Sequence, residues 1–195
     1  MLLARIVDKK FRLEHFFNSP KVLDDIQSFY VAKPSGKGLE RYLKQMAEQE
    51  EYNRSNRTYL VRDKVTDEIA AYFSLHTGSF TLREPGQSDE EVSKYTVPSV
   101  ELSNFAVNSA YREKHPEITG LGELIFRRFI IPTVNYGAEL FGIQAIHIYA
   151  LPEDDLIDHY GSFGFSRLPK EMEDYIHSHL KPDYDDKCIF MYQIL

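Results

Sequence analysis

Three stretches of this 195-residue chain carry residue types and spacings suited to group transfer. Gly120-Leu121-Gly122 opens a segment with helical apolar spacing. A helix start exposes unpaired N–H groups and the positive end of the dipole, so it attracts phosphate, and glycines let a pyrophosphate approach without Cβ clashes. Taken alone, such a segment reads as an ordinary strand-to-helix turn. Glu101, in the strand-like run Ser99–Val107, offers a carboxylate that can take a proton from an ammonium through a water; its alternative is a solvent-facing strand position. Tyr160 opens Tyr160-Gly161-Ser162-Phe163-Gly164-Phe165. A phenol, of ordinary pKa about 10, stays protonated at neutral pH and can donate a proton to a departing anion. The alternative for Tyr160 is a core ring closing a helix.

Other reactive side chains read as structural. Cys188 is the single cysteine and lies in the apolar run Cys188–Leu195, so it is a small core residue and no disulfide or cysteine-based metal site is available. His177 and His179 alternate and diverge on a helix, which suits a surface pair better than a metal site. His147, between Ile146 and Ile148, faces one layer of a sheet, and His159 is a half-exposed packing residue. Asp154, Asp155 and Asp158 form an acidic helix start that favours the dipole. No metal is expected.

The elements that must position these groups follow from periodicity. Strands are expected at 2–7, 58–62, 69–75, 99–107, 143–150, 165–168 and 187–195. Helices are expected at 11–17, 21–31, 39–52, 121–141 and 153–161, with Pro132 kinking or splitting the fourth and Pro152 starting the fifth. Loops are expected at 83–97, which is acidic, and at 108–119. The order is α/β, with antiparallel hairpins early and β-α-β connections late.

Length, and the lack of any internal repeat or linker-like tract, point to a single domain spanning 1–195. The net charge of −7 argues against nucleic acid as the main partner, since phosphate binding needs clustered Lys and Arg. The N-terminal apolar run is too short for a signal peptide, and no stretch approaches the roughly 18 apolar residues of a membrane span. With one cysteine, the compartment reads as reducing and cytoplasmic.

Taken in order, Phe105-Ala106-Val107 ending a strand, Gly120-Leu121-Gly122 at a helix start, and Tyr160 to Phe165 in the spacing Y-x-x-x-G-F resemble the GNAT family of N-acetyltransferases over about residues 58–195. The resemblance implies a mixed α/β fold with a central twisted sheet, about four flanking helices, and two splayed strands that form an acetyl-CoA cleft. It implies that Phe105, Ala106 and Val107 pair with the pantetheine arm, a backbone N–H near Phe105 or Ala106 stabilising the oxyanion. Thr119, Gly120, Leu121, Gly122 and Glu123 then surround the pyrophosphate. It makes Tyr160 the general acid and Glu101 the base in a direct transfer of acetyl from acetyl-CoA to a primary amine, and it makes a homodimer an option. One departure stands out: the family loop, R/Q-x-x-G-x-G/A, has Glu117 where Arg or Gln is usual. Either Arg112 or Lys114 folds back to supply the missing charge, or cofactor binding is altered. The first is preferred, because backbone N–H groups do most of the pyrophosphate binding.

The acceptor is a small-molecule or protein amine, and the acidic stretches 83–97 and 171–186 suit a polyamine, an aminoglycoside-like molecule or a protein lysine. A second reading follows from the similarity of the layout around 72–75 and 97–107 to GNAT toxins that acetylate aminoacyl-tRNA; the acidic charge and Glu101 count against it. A third reading is a non-catalytic acyl-CoA-binding or interaction module.

Overall fold

The computed structural model describes residues 6, 8–83, 94–177 and 187–195. They divide into two compact units, one of residues up to His76 with Leu102–Tyr136, the other of Thr77–Glu101 with Gly137–Leu195. Seven strands form a mixed sheet in the order β1-β2-β3-β4-β5-β7-β6, and β3 (Ile69–Arg83) and β4 (Lys94–Val107) run through both units. This is the mixed α/β architecture that the residue pattern implied.

In the first unit, β1 (Phe11–His15) pairs antiparallel with β2 (Arg57–Asp63), from Phe11↔Asp63 to His15↔Tyr59. A helix was expected over 11–17. Phe11 and Leu13 are buried while Arg12 and Glu14 are less so, a strand period that five residues are too few to announce. The strand expected at 2–7 falls almost wholly outside the described residues. The helix expected at 21–31 contracts to α1 (Val22–Asp25) and a single 3₁₀ turn, Ile26–Ser28. The helix expected at 39–52 is two, α2 (Lys37–Gln45) and α3 (Ala47–Asn53), divided at Met46, whose φ stretches to −116° within the right-handed helical region. These pack Phe16, Ile26, Phe29, Leu43 and Ala47 against Leu60 and Tyr72 of the sheet.

Asp63 sets the β2–β3 hairpin. Its Oδ1 accepts the N–H groups of Val65 and Thr66, and Asp67 takes the left-handed conformation that closes the turn. Two buried charges brace the unit. Arg62 donates to Glu14 at 2.6 Å, Asp25 at 2.7 Å, Ser19 at 3.3 Å and the Asp67 carbonyl at 3.0 Å. Burial opposes ionisation of Glu51, but His15, the Thr58 N–H and Arg57 outweigh it and hold the carboxyl below its ordinary range.

The loop expected at 108–119 contains a short helix, α4 (Ser109–Lys114), because Asn108 caps it. Asn108 accepts the N–H groups of Ala110 and Tyr30 and donates to the Ile69 carbonyl at 2.8 Å. Helical structure then runs from Leu121 to Leu140 as α5 (Leu121–Ile125), a π turn (Phe126–Ile130) and α6 (Ile131–Leu140). Pro132 lacks an N–H and its ring crowds the carbonyl four residues back. The chain widens just before it, Ile131 N–H reaching back five residues to the Phe126 carbonyl, instead of splitting.

In the second unit, β5 (Ala145–Ala150) is parallel to β4 and antiparallel to β7 (Ile189–Ile194), which also pairs with β6 (Ser166–Arg167). Phe80, Val97, Ala145, Leu168 and Phe190 form its core with Met172 and Ile176. The last two, spaced i and i+4, are the buried face of α8 (Lys170–His177), which occupies part of the stretch read as an acidic loop. The remainder of that stretch, the histidine at 179, and most of the acidic loop at 83–97 lie outside the described residues. Residues 94–97 of that loop are strand, the start of β4.

α7 (Asp154–Ser162) starts with Asp154 and Asp155 as expected, two residues after Pro152. Its end explains half of the Y-x-x-x-G-F pattern. Gly164 takes φ +98°, and the Tyr160 carbonyl accepts the N–H groups of both Phe163 and Phe165. That is a glycine-terminated helix.

Candidate functional site

In the first unit, the residues read as cofactor-binding fall at two places. Phe105, Ala106 and Val107 end β4, with Ala106 buried and its neighbours half-buried. The second place is the turn Thr119-Gly120. Gly120 is the N-cap of α5 at φ +64°, no side chain caps that helix, and the first intrahelical bond is from Leu124 N–H to the Gly120 carbonyl at 3.0 Å. The N–H groups of Leu121, Gly122 and Glu123 precede that bond and form the donor cluster of a helix start. Leu121 packs into the core, while Gly122 is half-buried.

The charges around this turn are now placed. Glu117 is exposed, with Oε1 3.4 Å from His115 Nδ1. Lys114 pairs with Glu68, which commits it elsewhere. Arg112 lies exposed on α4 and, among the described residues, makes no ion pair. Glu123 pairs with Arg127 one turn along, at 2.9 Å. Of the two basic residues considered for the missing charge, Arg112 is the one left uncommitted.

In the second unit, Glu101 is only 4% exposed, so the solvent-facing alternative is overturned. It is the last residue of the β4–β5 ladder: the pairs are Ser99↔Ala145, Val100↔Ile146 and Glu101↔His147, and β4 continues for six residues to Val107. His147 Nε2 lies 3.3 Å from Glu101 Oε2, and His147 Nδ1 lies 2.9 Å from Ser99 Oγ. The sequence placed His147 on one layer of the sheet, and there it sits, buried. Its bond to Glu101 was not legible, because a single sequence does not give the β4–β5 register.

Tyr160 is half-buried near the end of α7, its ring edge-on to Phe163 and Phe165 with centroids 6.2 and 5.6 Å away. Burial pushes its phenol up to about 12. His159 is exposed and packs on Phe163 at 4.3 Å. Cys188 is buried, as its apolar run implied. Among the described residues no group of three His, Cys, Asp or Glu is placed to hold a metal, and no helix is long and apolar enough to cross a membrane.

Ser103, on β4, accepts or donates to His76 Nδ1 at 2.8 Å and donates to Asn56 Oδ1 at 3.2 Å. Asn56 in turn donates to Glu50, which also accepts the Tyr42 hydroxyl at 2.8 Å. This polar chain of the first unit joins α2, α3, β3 and β4 and was not foreseen.

No protein-family model matches the sequence, and no curated protein matches it significantly. Solved structures do. The complex AtaTR bound with acetyl-CoA is 19% identical with a TM-score of 0.64, covering 94% of each chain. AtaT complexed with acetyl-methionyl-tRNAfMet is 17% identical with a TM-score of 0.61, over 92% of this chain and 93% of that one. The KacTA–DNA complex is 18% identical with a TM-score of 0.63, over 95% and 93%. At these identities the likeness establishes the fold: the chain has the GNAT-like fold that its motifs resemble. Of these proteins, AtaT is a toxin.

Proposed function

We propose that this chain is an acetyl-CoA-dependent N-acetyltransferase, a single catalytic domain over 1–195, that transfers acetyl directly to a primary amine in a ternary complex. The observation that carries the reading is the end of the β4–β5 ladder at Glu101↔His147, beyond which β4 runs on to Val107 with backbone groups free of that pairing. An extended amide chain such as pantetheine can pair with a strand edge of this kind.

In this reading Phe105, Ala106 and Val107 hold the arm, and a backbone N–H near Phe105 or Ala106 receives the oxyanion. The Thr119–Glu123 turn receives the pyrophosphate, with Arg112 adding charge. Glu101 takes a proton from the substrate ammonium through a water. The free amine attacks the thioester carbonyl, the C–N bond forms and the C–S bond breaks. Tyr160 donates its phenolic proton to the departing thiolate, and the second proton lost by the attacking nitrogen returns through water to the phenolate, leaving a neutral amide, CoA thiol and a restored Tyr160.

One observation favours a particular acceptor class: a solved structure of this fold, AtaT, holds acetyl-methionyl-tRNAfMet. An aminoacyl-tRNA is therefore the second reading, weighed against the net charge of −7. A polyamine suits that charge better. The test is calorimetric titration of acetyl-CoA into the purified protein and into a Gly120→Asp, Gly122→Asp double variant, followed by turnover with spermidine and with methionyl-tRNA. Saturable binding lost in the variant, with turnover of either amine, supports the enzyme. Binding without turnover of any amine points to an acyl-CoA-binding module, and absent binding sinks both.

A further inference from the structure

Ser99, His147 and Glu101 form a buried chain of three side chains within the second unit. Ser99 Oγ is 2.9 Å from His147 Nδ1, and His147 Nε2 is 3.3 Å from Glu101 Oε2. All three residues are at most 4% exposed. The imidazole is held on every side. It stacks on Phe190 at 5.3 Å and meets Phe80 and Tyr149 edge-on at 5.8 and 5.9 Å. A Cβ at position 78 would come within 2.8 Å of His147 Cε1, so Gly78 is the bare backbone that the ring rests on.

A hydroxyl can donate or accept, a neutral imidazole donates from one nitrogen and accepts at the other, and a carboxylate only accepts. The arrangement that satisfies every atom has Ser99 donating to Nδ1 and Nε2–H donating to Glu101. Glu101, which only accepts, thus selects the Nε2–H tautomer, and Ser99 completes it by donating to Nδ1. The same logic governs bases that are oriented by a third group: the geometry of the base is set one residue behind it.

We infer that His147 is a positioning residue for acyl transfer, its Nε2–H tautomer set by the Glu101 carboxylate and matched by Ser99 at Nδ1, so that Glu101 presents its carboxylate, fixed in orientation, to the acceptor amine. The role rests on the reading of Glu101 as the base. The titratable groups beside the chain are Tyr149 on the same strand, Tyr192 opposite His147 on β7, and Cys188. Burial first, then the charges of Glu101 and Cys188, hold the Tyr149 phenol above its ordinary value.

Two measurements separate the hydrogen bond from the catalysis. The first is the ring ¹⁵N spectrum of ¹⁵N-histidine protein, His147 being assigned by its absence from His147→Phe. A protonated Nε2 and an unprotonated, hydrogen-bonded Nδ1 are expected, with the Nδ1 resonance becoming less shielded when Ser99→Ala removes the hydroxyl. An unprotonated Nε2 overturns the inference whatever the activity. The second is kcat and KM against pH with whichever of spermidine or methionyl-tRNA the wild type acetylates. His147→Phe is expected to lower kcat about 10- to 100-fold with the acetyl-CoA KM unchanged, and to move the acidic limb of the profile. His147→Gln, which keeps a donor near the Nε2 position, is expected to recover most of the loss. Gly78→Ala, which removes no polar atom but displaces the ring, is expected to resemble His147→Phe. Thermal melts identify any variant that is unfolded, and the remaining variants then decide. Full activity and an unmoved profile in folded His147→Phe or Gly78→Ala would overturn the role. A wild type that acetylates neither amine overturns the role together with the acetyltransferase reading, while the nitrogen spectrum still judges the hydrogen-bond chain.

Discussion

Tyr111 donates its hydroxyl to Asp63 Oδ2 across 2.6 Å, both groups being 1% exposed, and so ties the helix that follows β4 to the end of β2. Removing that hydroxyl with Tyr111→Phe keeps the ring's edge contact with Phe11 but leaves a buried carboxylate short of a donor. The expected loss is about 1.5–3 kcal/mol of stability at pH 7, the range for a hydrogen bond to a charged group. Burial opposes ionisation of Asp63, yet Tyr111, the Val65 and Thr66 N–H groups and Lys10 hold its folded pKa below the ordinary value. Stability from such a group is complete above the unfolded pKa of about 3.9 and is lost as pH falls through the folded one. Urea titrations should therefore show the gap between wild type and Tyr111→Phe narrowing below about pH 4.

Arg62 supports a contrasting expectation. Its guanidinium is 3% exposed and bonded to Glu14, Asp25, Ser19 and the Asp67 carbonyl. Arg62→Met should cost about 1.5–3 kcal/mol, since Glu14 and Asp25, 18% and 33% exposed, lose a charged donor but keep some water, and added salt should change this little because the guanidinium is buried. Arg127→Ala breaks an exposed pair with Glu123 and should cost about 0.5 kcal/mol or less. Denaturation midpoints of both variants at low and high salt check the pair of claims.

What the residue pattern revealed depended on whether the signal was local. Gly120 and Gly164 stood out by motif alone, and the structure gives each a local reason, a positive φ. The strands around Leu60, Tyr72 and Ile146 were legible from their apolar runs, since buried central strands need little else. β1 was misread because Phe11 and Leu13 alternate over too few residues to distinguish a strand from a helical turn. α4 was missed because its stability comes from Asn108, whose side chain reaches Tyr30 and Ile69, far away in sequence. Glu101 was found as a carboxylate in a strand six residues before Val107, but His147 and Ser99 behind it depend on strand register, which only pairing decides.

Tyr160 carries an expectation about alkaline pH. A general acid must be protonated to act, and burial pushes this phenol up to about 12. Its contribution to kcat should therefore hold constant from neutral pH through about pH 10, where a phenol of ordinary pKa would be half ionised, and fall only near pH 12. Tyr160→Phe should lower kcat about 10²- to 10⁴-fold while acetyl-CoA binds with unchanged affinity. A basic limb near pH 10 in wild type that vanishes in Tyr160→Phe would contradict the environment described for this ring.

Gly122 separates helix stability from anion binding, because one substitution should move them in opposite directions. It is the second residue of α5, just after the Gly120 N-cap, in a first turn that already holds Glu123. A carboxylate there favours the helix dipole by about 0.3–1 kcal/mol, and replacing a helical glycine adds a few tenths more. Gly122→Asp should thus raise the melting temperature by about 1–4 °C for a chain of this size. The same carboxylate stands where a pyrophosphate would receive the N–H groups of Leu121, Gly122 and Glu123, so acetyl-CoA affinity should fall at least about tenfold, a cost of about 1.4 kcal/mol. Differential scanning calorimetry and titration calorimetry on one preparation give both values. A stabilised protein that binds acetyl-CoA as well as wild type would remove the pyrophosphate from this turn, and a destabilised one would mean that the half-buried space around Gly122 cannot take a side chain.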